Sequence, residues 1–182
     1  MQVNITFRHL DSTEALKAHA REKVEHIQRY IDQPSEAHVV LYLESLEHHA
    51  DINLKAGHFL LRGRAKSGDM YASIDAAAEK IERQLKKHKE KLKNHKSVER
   101  PNGYHAIDVR HEVLDAAKSP KDRVVKSSTF QAKPMTLDEA ILQLDLLDAA
   151  FFVFQNAKDR AINVVYRRKE DGNLGLIEAR PG

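Results

Sequence analysis

The hydrophobic period of the chain switches from two to 3.6, returns to two for three consecutive segments, and then switches to 3.6 again. No other feature limits the fold so tightly. "QVNITF" alternates and is β-branched, so it reads as a strand. In "DSTEALKAHAREKVEHIQRYI", Asp11, Ser12 or Thr13 can cap a helix. Leu16, Ala20, Val24, Ile27 and Ile31 then recur at helical spacing until Gln33-Pro34-Ser35 ends it. "AHVVLYLES", "HADINLKA" and "HFLLRGRAKS" are three strands with short polar joints, so neighbours pair antiparallel. Gly68-Asp69 opens a long helix to about His95, with Asp69 as N-cap and Ile74, Ala78, Ile81, Leu85 and Leu92 as its apolar stripe. The order β-α-β-β-β-α predicts an α+β domain: a four-stranded sheet with both helices on one face.

From Ser97 to Arg123 the periodicity dissolves. "SVERPNG" and "KSPKDR" read as linker, and "YHAIDVRHEVLDAA" between them is open to a short strand or a helical turn. The expected organisation is therefore a domain at 1–96, a flexible linker at 97–123 and a second domain at 124–182. The second domain also reads as small α+β. "VVKSSTFQ" reads as a strand, and Thr136 with Glu139 three residues on makes a capping box for a short helix. "AAFFVFQNA", "RAINVVYRRK" and "LGLIEA" are three further strands. Two of them are apolar on both faces, and one short helix covers only one face. A second copy of this module is the simplest cover for the other, so a homodimer interface is expected at Phe152, Phe154, Val164 and Tyr166.

Composition matters chiefly through where the charge lies. The net charge is only +3, yet residues 80–96 hold eight Lys or Arg against Glu82 and Glu90. On a helical wheel Lys80, Arg83, Lys87 and Lys91 share a flank without carboxylates, while Glu79, Glu82 and Glu90 lie opposite, mixed with Lys86, Lys89 and Lys93. A merely solvated helix gains more from interspersed opposite charges, so the segregation points to an anionic partner. The first helix repeats the pattern weakly: His19, Lys23, His26 and Tyr30 share a flank. Two such flanks side by side are expected to form a groove for a phosphate backbone. Without a helix-turn-helix or zinc-finger spacing, shape-based contact with folded RNA is the better match. The expected RNA contacts are Lys23, Arg29, Lys80, Arg83, Lys86, Lys87, Lys89 and Lys91.

Several other classes find no support in the sequence. Cysteine is absent, which excludes disulfides and thiolate chemistry. "MQVNITFRHL" has no signal-peptide layout and no apolar run approaches a bilayer span, so a cytoplasmic location is expected. His48 and His49 are adjacent and would point to opposite faces of a strand. His105 and His111 flank Asp108 in an irregular segment, and no metal site is assigned to them. No nucleophile motif, phosphate-binding loop or paired-carboxylate site appears, so neither an enzyme nor a cofactor is expected.

"MQVNITFRHLDSTEAL", "AHVVLYLE" and "DMYASIDAAAEKIERQLKKHKEKLKNH" resemble the bacterial hibernation-promoting factors, and "PMTLDEAILQLDLLDAAFFVFQNAKDRAINVVYRRKEDGNLGLIEAR" resembles the C-terminal domain of their long form. The resemblance spans the chain apart from 97–123. It implies a domain over the A and P sites of the small ribosomal subunit, against 16S rRNA. There it would block mRNA and tRNA and silence translation. It also implies a C-terminal domain that self-associates and joins two 70S ribosomes into a 100S particle. One departure is Phe7, which stands where the family commonly has Gly. A rival reading is a free double-stranded-RNA-binding regulator without specificity for ribosomes. Another is a structural dimer whose basic face does nothing.

Overall fold

A computed structural model describes residues 1–31, 35–57, 59–94, 107–115, 117 and 124–179, with the side chains of 90–94, 124 and 125 left out of account. By contact the chain forms two compact units, Met1–Ser97 with Leu142–Ala150, and Val98–Ile141 with Phe151–Gly182.

The first unit is the expected α+β layer. Strand β1 (Gln2–Arg8) leads into helix α1 (Glu14–Ile27), then β2 (Ser35–Glu44), β3 (Glu47–Ala56), β4 (Phe59–Ser67) and helix α2 (Met70–Asn94). The sheet order is β1-β2-β3-β4, with β1 parallel to β2 and the other pairs antiparallel. A parallel first pair needs a crossover, and α1 supplies it. Alternation decides which face is covered. Ala37, Val39, Leu41, Ala50, Ile52, Leu54 and Leu61 are buried, whereas the residues between them reach solvent to varying degrees. Leu16, Ala20, Val24 and Ile27 of α1, with Ile74, Ala77, Ile81 and Leu85 of α2, fill the same core. Phe7 packs against it from the end of β1. Gly63 is required by the closest approach of α2: a Cβ there would collide with the Ala77 carbonyl oxygen and crowd Ile81 Cγ1.

Local chemistry sets the helix starts. Thr13 Oγ1 accepts from the Leu16 N–H at 3.2 Å, and Asp69 Oδ2 from the Ala72 N–H at 2.8 Å. α1 gives way to a 3₁₀ turn at Gln28–Tyr30, before the expected stop at Gln33-Pro34-Ser35, of which 33 and 34 lie outside the described residues. The side chain of Leu92 also lies outside them.

Two expected boundaries change. Leu142–Ala150, read as part of the C-terminal module, packs with the first unit, where Leu142 and Leu146 are buried. Gln143 Nε2 donates to the Leu60 carbonyl at 2.5 Å and its Oε1 accepts from the Leu60 N–H at 3.3 Å, satisfying part of the open β4 edge. The stretch expected to be a flexible linker contains strand β5 (Ile107–Leu114), which pairs antiparallel with β6 (Val124–Ala132). Its period of two explains the pairing. Val109 stands opposite Phe130, while Asp108, Arg110 and Glu112 occupy the alternate face, with Arg110 Nη2 2.5 Å from Glu112 Oε1.

In the second unit, β7 (Pro134–Met135) runs parallel to β8 (Phe151–Asn156), followed by antiparallel β9 (Ile162–Arg167) and β10 (Leu174–Glu178). Helix α3 (Leu137–Leu146) opens with the predicted capping box. The Thr136 N–H donates to Glu139 Oε2 at 2.5 Å, and the Glu139 N–H to Thr136 Oγ1 at 3.3 Å. Among the described residues, no helix is long and apolar enough to cross a membrane.

Candidate nucleic-acid interface

The basic flank of α2 turns away from α1. Lys80 Nζ donates to the Arg64 carbonyl at 2.5 Å and Gln84 Nε2 to the Arg62 carbonyl at 3.4 Å, so this side of the helix overlies β4. Lys80, Arg83 and Lys87 are exposed along it. Lys91 belongs to the same wheel position, but its side chain lies outside those described. β4 itself adds cations that sequence reasoning missed. The Asp51 carboxylate accepts from Arg62 Nε at 3.0 Å and Nη2 at 2.5 Å, and from Arg64 Nε at 3.0 Å. Partial burial opposes ionisation of Asp51, but the two guanidinium groups outweigh it and hold its carboxyl below the usual range. Arg62, Arg64 and Lys66 recur at a period of two in "LRGRAKS", a signal that was available in the sequence.

The expected cationic groove between the two helices does not exist. A cavity of about 470 Å³ does lie there, but Glu22, Glu25, Asp75, Glu79 and Glu82 line it alongside Lys23, His26 and Arg29. Lys23 Nζ sits 3.2 Å and His19 Nε2 2.7 Å from Asp75 Oδ1. Burial again opposes ionisation of Asp75, and hydrogen bonds from His19 and Lys23 hold its carboxyl below the usual range. Lys86 lies 5.1 Å from the Tyr30 ring centroid and 3.5 Å from Glu82 Oε2. Its ammonium pKa is raised, by the Tyr30 charge and hydrogen bond first and by Glu82 after. The wheel separates Glu79 and Glu82 from the cationic flank, but Glu90 falls within about 20° of Arg83 on it, and the apolar stripe lies between that flank and α1. Of the eight expected contacts, Lys23, Lys86 and Lys87 are engaged by carboxylates, and Arg29 and Lys89 are exposed on the α1 side. Lys80, Arg83 and Lys87 form an exposed ridge, in which Lys87 Nζ lies 3.8 Å from Asp145 Oδ2. Tyr71 is half-exposed, edge-on to His19 with centroids 5.0 Å apart.

Among the described residues no cluster of three His, Cys, Asp or Glu is arranged to hold a metal. His49 stacks on Tyr42 with centroids 4.7 Å apart, and His105 lies outside the described residues.

The four expected interface residues of the second unit separate by register. Phe152 pairs with Val165, which pairs in turn with Leu176, so those three share one face with Phe154. Phe151 pairs with Tyr166, and Val153 with Val164, which pairs in turn with Ile177, on the opposite face. Phe154 is fully buried within its own chain and offers nothing to a partner, which corrects the expectation for that residue. Val164 and Tyr166 remain partly open, beside Phe151 at 49% and Ile177 at 57% exposure, two residues the sequence reading did not select. The Tyr166 ring covers Gly175, which leaves no room for a side chain there.

Residues 3–93 match the family model described as sigma-54 modulation protein / S30EA ribosomal protein, and residues 119–176 match its C-terminal companion. The chain is 36% identical to the ribosome hibernation promotion factor of Bacillus subtilis, across 98% of both chains. It is 32% identical to that of Lactococcus lactis, also across 98% of both, and 29% identical to that of Deinococcus radiodurans across 97% of this chain and 98% of the relative. Among solved structures, the N-terminal domain of Thermus thermophilus Protein Y aligns at 31% identity and TM-score 0.46, covering 48% of this chain and 98% of that one.

Proposed function

This chain belongs to the sigma-54 modulation/S30EA ribosomal protein family in its long, two-domain form, and from that premise we propose how it silences ribosomes. It is not an enzyme; it is a ribosome-associated hibernation factor of the cytoplasm. In this reading the unit built on residues 1–96 occupies the decoding region of the small subunit, against 16S rRNA. It fills the space that mRNA and tRNA need. The module at 124–182 pairs with a second copy and joins two 70S ribosomes into a 100S particle. The mechanism is steric.

The observation that carries the reading is the exposed ridge of Lys80, Arg83 and Lys87 on helix α2, fixed over β4 by Lys80 and Gln84, with a single loose ion pair from Lys87 to Asp145 at 3.8 Å among its described contacts. Lys80 and Arg83 meet phosphate without first breaking an ion pair to a described carboxylate, and Lys87 gives up only a long one. The partly open apolar face of Phe151, Val164, Tyr166 and Ile177 supports pairing with another copy, since a second apolar face is the cover that keeps it from water.

Competition binding tests this against the free-RNA alternative. Labelled protein is bound to vacant ribosomes and challenged with generic double-stranded RNA in mass excess. Retention on ribosomes is the expected result. Displacement by the generic duplex would favour the alternative.

A further inference from the structure

The turn between β2 and β3 plays no part in that mechanism. Ser45 and Leu46 link Glu44 to its cross-strand partner Glu47, and both turn residues have positive φ, 49° and 66°. A two-residue hairpin loop with both φ values positive is a type I′ turn, where Asn and Gly are the favoured occupants. Leucine fits this conformation poorly, because its Cβ crowds the backbone. Nor does the fold gain from it: Leu46 is 89% exposed, more than any other large hydrophobic residue among those described. A single exposed leucine is ordinary. A leucine held in a left-handed turn and packed on nothing is a local cost that the fold leaves unexplained.

We propose that Leu46 is an anchor that inserts into an apolar recess on a protein component of the ribosome, a contact that rests on the ribosome-binding reading above. The charge around the tip selects protein over RNA. Glu44 and Glu47 border the turn, with Lys66 Nζ 2.8 Å from Glu47 Oε2 as the nearby cation. Lys66 neutralises Glu47, and Glu44 leaves the tip net negative, so phosphate finds no attraction there, whereas a basic protein surface with an apolar recess is complementary. The tip is also distant from the far end of the cationic ridge. Ser73, in the first turn of α2, bonds the His48 carbonyl at 2.7 Å, so α2 begins beside the hairpin end and carries its basic residues away. Lys87 stands 17 residues beyond Met70, about 25 Å at 1.5 Å per residue. The anchor and the phosphate contacts are therefore separate energetic contributions.

The test uses the full chain and two variants, L46N and L46M. Asn adopts positive φ readily, so L46N melts at or above the wild-type temperature. Its affinity for vacant ribosomes falls about tenfold or more, as the loss of one fully buried leucine requires. The loss is the same at every salt concentration, so the slope of log affinity against log salt stays unchanged. L46M binds nearly as well as wild type. A benzophenone side chain placed at position 46 labels a ribonuclease-resistant, protease-sensitive species. Wild-type binding with L46N equally tight overturns the anchor and leaves the ribosomal reading standing. A shallower salt slope in L46N, or a label lost to ribonuclease, shows a contact with rRNA and overturns it too. Failure of the wild type itself to bind ribosomes overturns both.

Discussion

Neutralising the two sides of α2 separately should have unequal consequences for ribosome binding. On the β4 side, Lys80, Arg83 and Lys87 are exposed, and the one described ion pair among them is the 3.8 Å contact of Lys87 with Asp145. On the α1 side, Lys23 is paired to Asp75 and Lys86 to Glu82. A cation that neutralises a phosphate contributes about 0.7–0.9 to the slope of log affinity against log salt. The triple variant K80Q/R83Q/K87Q therefore lowers the slope by about 2–3, which at 0.1 M salt is a loss on the order of 10²–10³ in affinity. In K23Q/K86Q each lost cation leaves behind a carboxylate it had been neutralising, and neither was wholly available to phosphate. Its slope falls by less than about 1. Fluorescence anisotropy on labelled full-length protein, titrated with vacant ribosomes at 50–200 mM salt, reads both variants. If K23Q/K86Q changes the slope as much as the triple variant, the assignment of the ridge is wrong and the groove between the helices is the phosphate site after all.

Other expectations follow from packing and titration. G63A forces α2 off the sheet at Ala77 and Ile81, an overpacking cost of about 1–3 kcal/mol. Differential scanning calorimetry should show the transition of the first unit lowered by about 4–8 °C per kcal/mol; an unchanged transition would show that the helix moves freely. Asp51 is held below its unfolded pKa by Arg62 and Arg64 despite partial burial, so its contribution to stability is complete above the unfolded value of about 3.9 and fades as pH falls through the lower folded value. D51N should be less stable than wild type at neutral pH, with the difference shrinking below about pH 4 in denaturant titrations. T136A removes one half of the α3 capping box and should cost about 1 kcal/mol in urea unfolding, while T136S should cost much less.

The element order was legible because each period change coincides with a cap or a turn: Thr13 before Leu16, Asp69 before Ile74, Thr136 with Glu139. The apolar stripes were legible for the same reason, and every described member of both is buried. What the sequence withheld was relative placement. A helical wheel separates Lys80, Arg83 and Lys87 from Glu79 and Glu82, but only the Lys80–Arg64 and Gln84–Arg62 bonds show which side faces β4. Likewise, Phe152, Phe154, Val164 and Tyr166 alternate visibly, yet the pairing of Phe152 with Val165 is what puts the first two and the last two on opposite faces. β5 was obscured because its apolar residues are few and its partner lies beyond a polar gap. Leu46 could have been noticed from "LESLEHH", where a two-residue turn lacks Asn and Gly, but only the positive φ makes it unusual.

The most direct test of the central claim is a sucrose-gradient profile of vacant 70S ribosomes mixed with the full chain or with I177D, which places a carboxylate on the partly open face of the second unit. The account predicts that the full chain moves ribosomes into a heavier two-ribosome peak, while I177D comigrates with single ribosomes and gives no such peak. A full chain that never comigrates with ribosomes, or an I177D variant that still joins them, would contradict it.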